Sequence, residues 1–146
     1  MSQVWTKVDP GNVEFNRIFQ LGSACTDLNS GTWIDSFEVV RRKQSGTVAL
    51  NSWDEKPGNI QTIDSGVIFQ GMLHIVVAID TDGFVTLHVN GRSFPSEAHL
   101  ISMPFKSSLN FLGVDMCSNN GLVGSIDEFR IWEGALLVKY KLLCYV

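Results

Sequence analysis

The chain has 146 residues, of which 45% are hydrophobic and 18% charged, a composition that can bury a sizeable core and that excludes intrinsic disorder. Its formal net charge of −4 at pH 7 argues against a nucleic-acid-binding protein, because phosphate binding depends on clustered Lys and Arg. No uninterrupted apolar run approaches the ~20 residues that a membrane-spanning helix needs. We therefore expect one domain over residues 1–146.

Short apolar segments alternate with turn-rich segments along the whole chain. The turn-rich segments read DPGN, LNSG, KPGN, TDG and CSNNG, and no segment carries a 3.6-residue apolar stripe over three turns. Many short strands joined by glycine-rich turns indicate an all-β fold, an antiparallel β-sandwich or barrel. In chain order, the strands are predicted at residues 3–9, 17–23, 33–43, 46–53, 59–64, 72–80, 84–91, 109–114 and 123–132.

The stretch DTDGFVTLHVNG (residues 80–91) opens like a calcium-binding EF-hand loop. Such a loop needs oxygen donors at positions 1, 3 and 5, a glycine at 6 and a bidentate glutamate at 12. Counted from Asp80, position 5 is Phe84 and position 12 is Gly91, so two of the required donors are missing. Asp-Gly between alternating apolar residues instead predicts a hairpin turn.

The two strands of this hairpin should present different side chains to the two faces of their sheet. Alternation predicts a core-facing apolar set, namely Ile75, Val77, Ile79, Val85, Leu87 and Val89. The opposite face mixes apolar with hydrogen-bonding side chains, and its polar members His74, His88 and Asn90 are candidate ligand-binding residues. A mixed face is typical of a shallow binding surface. A solvent face with a loop folded over it is the simpler alternative.

Tryptophans at predicted strand ends give further ligand-binding candidates, Trp33 and Trp53. An exposed aromatic ring beside hydrogen-bonding side chains is a common platform for a sugar. Large aromatic residues of a sandwich are more often buried, so each tryptophan taken alone is better explained as part of the core.

The three cysteines show no C-x-x-C spacing, which argues against zinc and dithiol redox sites. Cys25 and Cys117 fall in loop-like sequence and could form one disulfide in an oxidising compartment. The N-terminal MSQVWTKVDP carries no charged segment followed by an apolar stretch, so no secretory signal is predicted there. The sequence is compatible with a cytoplasmic protein. It is equally compatible with a mature or excised domain, and the residues do not decide between the two.

Three segments, taken in order, resemble the laminin-G-like and pentraxin-like branch of the concanavalin A-like jelly rolls. They are RIFQLGS (17–23), HIVVAIDTDGFVTLHVNG (74–91) and LVGSIDEFRIWEGAL (122–136), and the resemblance runs from residue 4 to about residue 136. The last segment is the most specific, because it resembles the closing strand of the family. The resemblance implies a jelly-roll sandwich and suggests an extracellular location.

The chain departs from this family at both ends. The family's usual first strand, which pairs near the closing one, is expected to be missing, because this chain starts after it at VWTKVD. The C-terminal tail (residues 137–146) is apolar, with Val138, Tyr140 and Leu142 alternating with two lysines. An alternating tail suits an edge strand. We therefore expect it to fill the gap in its own chain or in a partner's, the latter giving a homodimer.

Jelly rolls of this kind include enzymes, lectins and adhesion modules, so the fold does not decide the function. Glycosidases of this architecture place two carboxylates with set spacing on one strand. SIDEFRIWE has Ser125 where the first glutamate of the E-x-D-x-x-E pattern would stand, and Asp127 and Glu133 are six residues apart, roughly 20 Å on an extended strand. No Ser-His-Asp or Cys-His arrangement is legible in the spacing.

We therefore predict a non-catalytic recognition module whose ligand is carbohydrate or, as the second choice, a protein surface. The alternatives are a glycoside-active enzyme of the same fold, and a structural or oligomerisation domain without a small ligand. A hydrolase screen beside a glycan array separates them.

The pentraxin-like resemblance also implies a weaker expectation, a loop Ca²⁺ site. The corresponding positions are Asp35 and Asp115, with Asn119 as a compensating donor. The sequence departs from the pattern at Met116 and Cys117, where calcium would need a further side-chain oxygen, since it prefers 6–8 oxygen ligands. No other cofactor is expected.

Overall fold

In a computed structural model of the chain, residues 1–8, 15–27, 32–53, 60–114 and 121–132 are described. These residues form ten β-strands, and none of them belongs to a helix of the length and apolarity that crossing a membrane requires. The strands are β1 (Ser2–Val8), β2 (Phe15–Asp27), β3 (Thr32–Arg42), β4 (Thr47–Trp53), β5 (Ile60–Ile68), β6 (Met72–Ile79), β7 (Val85–Val89), β8 (Arg92–Pro95), β9 (Leu109–Leu112) and β10 (Gly124–Ile131).

The strands form two five-stranded sheets. The first sheet has the order β10-β1-β6-β7-β8 and the second sheet the order β5-β4-β3-β2-β9. Each pair of neighbouring strands is antiparallel. The predicted antiparallel β-sandwich is therefore confirmed.

The core lies between the two sheets and is built by alternation along the strands. On the first sheet, Ile75, Val77 and Leu87 are completely buried, and on the second sheet Phe19 and Phe37 meet edge to face at 6.1 Å. Burying an aliphatic or aromatic side chain of this size contributes about 1.5–3 kcal/mol. The predicted inward face of the hairpin is confirmed, with the single difference that Ile79 is only half-buried.

The Asp-Gly segment between β6 and β7 is a turn, as its sequence predicts. The carboxylate Oδ1 of Asp80 accepts hydrogen bonds from the backbone nitrogens of Asp82 (2.9 Å) and Phe84 (3.0 Å), which closes the turn from inside. Gly83 has φ +89°, a conformation that side chains other than hydrogen disfavour. The Asp80 carboxylate therefore shapes the backbone of this turn.

One strand, β8, is absent from the sequence prediction. The segment predicted as one strand to residue 91 ends at Val89, and Asn90 and Gly91, with φ +49° and +79°, turn the chain into Arg92–Pro95. Asn-Gly is the preferred pair for a two-residue hairpin turn. The strand itself gives a weak signal, because it has four residues and ends in proline, which sheets tolerate at an edge.

Strand β2 continues further than predicted, through Asp27, so Cys25 lies in a strand and not in a loop. Its length comes from pairing with β3, which continues to Asp27↔Thr32 across irregular positions. Local sequence does not predict this extension, because LGSACTD combines small and polar residues with low strand propensity.

The N-terminal strand β1 lies between β10 and β6. It pairs with the closing strand β10 from Ser2↔Ile131 to Val8↔Gly124. The closing strand therefore has a partner strand from this chain at one edge, although the family's first strand was expected to be missing. Within the described ranges no strand pairs with the other edge of β10. The tail (residues 137–146), with the predicted strand exchange, lies outside the described residues.

Candidate functional site

The face of the first sheet that points away from the core, called here the outer face of the first sheet, collects aromatic and polar side chains from all five strands of that sheet. In the register, Trp5 of β1 is opposite His74 of β6, and His88 of β7 is opposite Ser93 of β8. The rings of Trp5, His74 and His88 are half-buried and Ser93 is exposed. A ligand can therefore reach this surface from solvent.

The centre of this face is an aromatic stack. The ring centroids of Trp5 and His74 are 4.3 Å apart, with 25° between the ring planes. Side chains directly opposite each other on antiparallel strands are close enough for such contact. The Nε2 atom of His74 is buried and has no hydrogen-bond partner among the described groups.

Polar groups surround the stack on both sides. Asp127 of β10 is opposite Trp5 and is exposed. On the other side, His88 Nδ1 and Ser93 Oγ are hydrogen-bonded at 2.8 Å. The surface thus presents a carboxylate, an indole, two imidazoles and a hydroxyl on neighbouring strands.

The two imidazoles of this face have a pKa below the usual value for histidine. Burial lowers the pKa of both His74 and His88, and the positive charge of a protonated His88 lowers the pKa of His74 further. Both rings are therefore neutral at pH 7 and can accept as well as donate hydrogen bonds. Such a set of groups suits a neutral, hydroxyl-bearing ligand.

Asn90, the third polar candidate on this face, lies at the end of the first sheet in the β7–β8 turn. Its side-chain Oδ1 accepts a hydrogen bond from the backbone nitrogen of His74 at 2.8 Å, and its Nδ2 donates to the backbone oxygen of Met72 at 3.5 Å. These contacts tie the start of β6 to the turn. The carboxamide therefore positions His74.

The tryptophan candidates fall on the second sheet. Trp53, in β4, is 9% exposed and packs against Leu109 and Phe111 of β9. Between Trp53 and Leu109 the register places two small residues, Ser36 and Gly22, which leaves room for this contact. Trp53 is thus covered, and the side chain of Trp33 is outside the described part of the structure.

A row of polar side chains crosses the face of the second sheet that points away from the core, called here the outer face of the second sheet. In the register Gln20, Glu38, Asn51 and Thr62 are direct neighbours. Glu38 accepts from Arg17 Nε at 2.6 Å and from Asn51 Nδ2 at 2.9 Å, and the Thr62 hydroxyl donates to Asn51 Oδ1 at 2.9 Å.

This row of polar residues is not among the sequence-predicted site residues. The four residues lie on four strands, and each looks like an ordinary polar position of an alternating strand. A sequence signal exists for Asn51, which is a polar side chain directly after the apolar run VAL of β4. Only the strand register brings the four residues together.

Of the residues predicted for a calcium site, only Asp35 lies in the described part of the structure. Asp35 lies in β3 with φ +43°, a left-handed conformation that aspartate tolerates. Asp115, Asn119 and Cys117 are outside the described ranges. Among the residues described, no group of three or more His, Cys, Asp or Glu could hold a metal ion. The calcium site stays a prediction.

Comparison with known proteins gives the family. No curated protein sequence matches the chain. A family model, Laminin_G_3, described as the concanavalin A-like lectin/glucanases superfamily, matches residues 2–139. This match covers all ten strands, and the two antiparallel sheets have the architecture that the resemblance in the sequence implied. The chain therefore belongs to the laminin-G-like family of the concanavalin A-like lectin/glucanase superfamily.

Proposed function

We propose that this protein is a non-catalytic recognition module that binds carbohydrate on the outer face of the first sheet. The observation that carries the proposal is the Trp5–His74 stack, 4.3 Å between centroids, at the centre of an accessible face. A sugar ring presents an apolar side of C–H groups and a rim of hydroxyls. An aromatic ring offers a large apolar contact at low entropic cost, and side chains around it can bond the hydroxyls.

The polar groups around Trp5 match this chemistry. Asp127, opposite Trp5, can accept hydrogen bonds from two neighbouring hydroxyls, as carboxylates do. His88 and Ser93, bonded to each other at 2.8 Å, can each donate or accept. Because both imidazoles are neutral at pH 7, the face supports an uncharged ligand better than an anion.

The contacts that Glu38 and Glu128 make within the protein support binding over glycoside hydrolysis. Hydrolysis needs an acid and a second carboxylate on opposite sides of the scissile bond, about 5–10 Å apart. Glu38 has both oxygens bonded, to Arg17 and Asn51, and lies on the other sheet. Glu128, next to Asp127 in β10, is paired with Arg130 at 3.2 Å.

A glycan array probed with the full chain, followed by a hydrolase screen on each bound glycan, tests this proposal. We expect saturable binding without turnover. Two variants at aromatic–histidine contacts are compared, Trp5→Leu on the proposed face and Phe84→Leu at the β6–β7 turn. Phe84 contacts His99 with 4.1 Å between the ring centroids, so Phe84→Leu serves as the control. Turnover of any glycan that Asp127→Asn abolishes would overturn the non-catalytic part of the proposal.

A further inference from the structure

A serine and a histidine on neighbouring strands form a close pair at the edge of the first sheet. The Oγ atom of Ser93 lies 2.8 Å from the Nδ1 atom of His88, and the two residues are opposite each other in the register of β7 and β8. Ser93 is exposed, and β8 is the last strand of its sheet. A hydroxyl that is hydrogen-bonded to an imidazole and open to solvent has the geometry of an activated nucleophile.

The imidazole of His88 is in a suitable state to act as a base on this hydroxyl. Burial lowers the pKa of His88, so the ring is neutral at pH 7 and one of its nitrogens carries a free lone pair. In the tautomer with the proton on Nε2, the Nδ1 atom accepts the hydrogen bond from the Ser93 hydroxyl. The hydroxyl proton can then move to Nδ1 when the serine oxygen attacks an electrophile.

The backbone of Ser93 supplies a hydrogen-bond donor beside the hydroxyl. The two-residue turn at residues 90–91 is flanked by Val89 and Arg92, and residues that flank such a turn exchange backbone hydrogen bonds. Bonded and non-bonded pairs alternate along antiparallel strands, so His88 and Ser93 form a non-bonded pair. The backbone N–H of Ser93 therefore points away from β7, toward the edge that no described strand occupies. There it can donate to a developing oxyanion.

We propose that Ser93 is a reactive surface nucleophile that takes up an acyl group from an activated carboxylic ester. In this step the serine Oγ forms a bond to the carbonyl carbon of the ester, and the bond from that carbon to the leaving oxygen breaks. His88 accepts the hydroxyl proton and passes it to the leaving oxygen. The products are an acylated serine and an alcohol.

The acylation of Ser93 is expected to be stoichiometric. A rapid serine hydrolase has a third group, a buried carboxylate that orients the imidazole and stabilises its charged form. Among the residues that the structure describes, no carboxylate is hydrogen-bonded to His88, whose bonded partner is Ser93. The site is therefore compatible with a non-catalytic module, and it does not depend on carbohydrate binding.

Acetylation of the full chain by p-nitrophenyl acetate, in the absence of any glycan, tests this site. Peptide mapping by mass spectrometry gives the rate at each serine. Ser125 is the reference, because it is also exposed and lies on the same sheet, opposite Lys7. We expect Ser93 to be acetylated at least about tenfold faster than Ser125, since a positioned general base contributes about 10²–10⁴-fold.

The advantage of Ser93 over Ser125 should disappear in denaturing urea, because it depends on the contact between two strands. Equal rates at the two serines of the folded chain would overturn the proposal. That result would leave the carbohydrate proposal standing, since no glycan takes part in the measurement.

Two histidine variants make the result specific. His88→Gln retains a side chain that can bond the Ser93 hydroxyl but removes the base, so acetylation of Ser93 should slow at least about tenfold. His99→Gln is the control, because the Nδ1 atom of His99 is bonded to the backbone oxygen of Asp82 at 2.5 Å and not to a serine. It should be acetylated at Ser93 like the wild type. A wild-type rate in His88→Gln, or an equal slowing in His99→Gln, would show that His88 does not activate this serine.

Discussion

The indole of Trp5 on β1 stacks on the imidazole of His74 on β6, with 4.3 Å between the ring centroids and 25° between the planes. The two residues are direct neighbours across antiparallel strands, so the rigidity of the sheet fixes their contact. Each ring restricts the other, and the tryptophan is held in one orientation before a ligand arrives. Preorganisation of this kind lowers the entropic cost of binding.

The histidines of this face predict a dependence of stability on pH. Burial lowers the pKa of His74 and His88 in the folded protein, so the unfolded chain binds protons more readily than the folded one. The free energy of unfolding should therefore be highest above the ordinary histidine pKa of 6.5 and should decrease as the pH falls below it. Thermal unfolding between pH 8 and pH 5 measures this decrease.

The double variant His74→Phe/His88→Gln should unfold with a smaller pH dependence over the same range. Phenylalanine retains a ring under Trp5, which keeps the comparison close to the wild type. At pH 8 the histidines are neutral in both states, so the melting temperature at this pH serves as the reference for each protein. An equal decrease towards pH 5 in the wild type and the variant would show that other groups cause it.

The buried ion pair on the second sheet predicts that removing one of its two charges lowers the free energy of unfolding strongly. The Arg17 and Glu38 side chains are 12% and 4% exposed, and breaking a buried pair by removing one partner costs about 3–5 kcal/mol. We expect Glu38→Gln to lower the free energy of unfolding by about 3 kcal/mol, as measured by urea denaturation.

The same substitution at Glu128 is the control for this prediction. Glu128 pairs with Arg130 at 3.2 Å, but these side chains are 49% and 56% exposed, and an exposed pair contributes about 0.2–1 kcal/mol. If Glu128→Gln costs as much as Glu38→Gln, the burial of the Arg17 pair is not what makes it important.

Two glycines of the first sheet predict different costs for the same added methyl group. A Cβ on Gly83 would lie 2.0 Å from the backbone oxygen of Ile101, whereas a Cβ on Gly91 would meet nothing within 4 Å. Both residues have positive φ, +89° and +79°, so both alanine variants pay the conformational penalty of about 1 kcal/mol. Only Gly83→Ala must also displace the chain at Ile101.

We therefore expect Gly83→Ala to be destabilised by about 1–3 kcal/mol more than Gly91→Ala, because overpacking in a tight contact adds about this much. Chemical denaturation of the two variants gives the difference directly. Equal stabilities would mean that the segment around Ile101 does not pack on the turn as described.

Alternation along single strands was sufficient to predict the sandwich and the inward face of β6 and β7, because burial on one face is a local, period-two signal. The candidate site was predicted only in part. His74 and His88 were identified from their strand, whereas Trp5 was not, because its contact with His74 depends on strand pairing between distant segments. For the same reason Gln20 and Glu38 looked unrelated. Trp53 was predicted as a ligand-binding candidate from its position at a strand end, but residues of β9 pack against it and cover it.

The affinity of the Trp5→Leu variant for a glycan bound by the wild-type chain tests the central claim most directly. Isothermal titration calorimetry should show binding weakened at least about tenfold, since 1.4 kcal/mol corresponds to a factor of ten, and loss of an aromatic stacking contact costs about this much. Phe84→Leu, which removes an exposed aromatic ring at the neighbouring turn, should bind like the wild type. Wild-type affinity in Trp5→Leu would contradict the assignment of this face as the carbohydrate site.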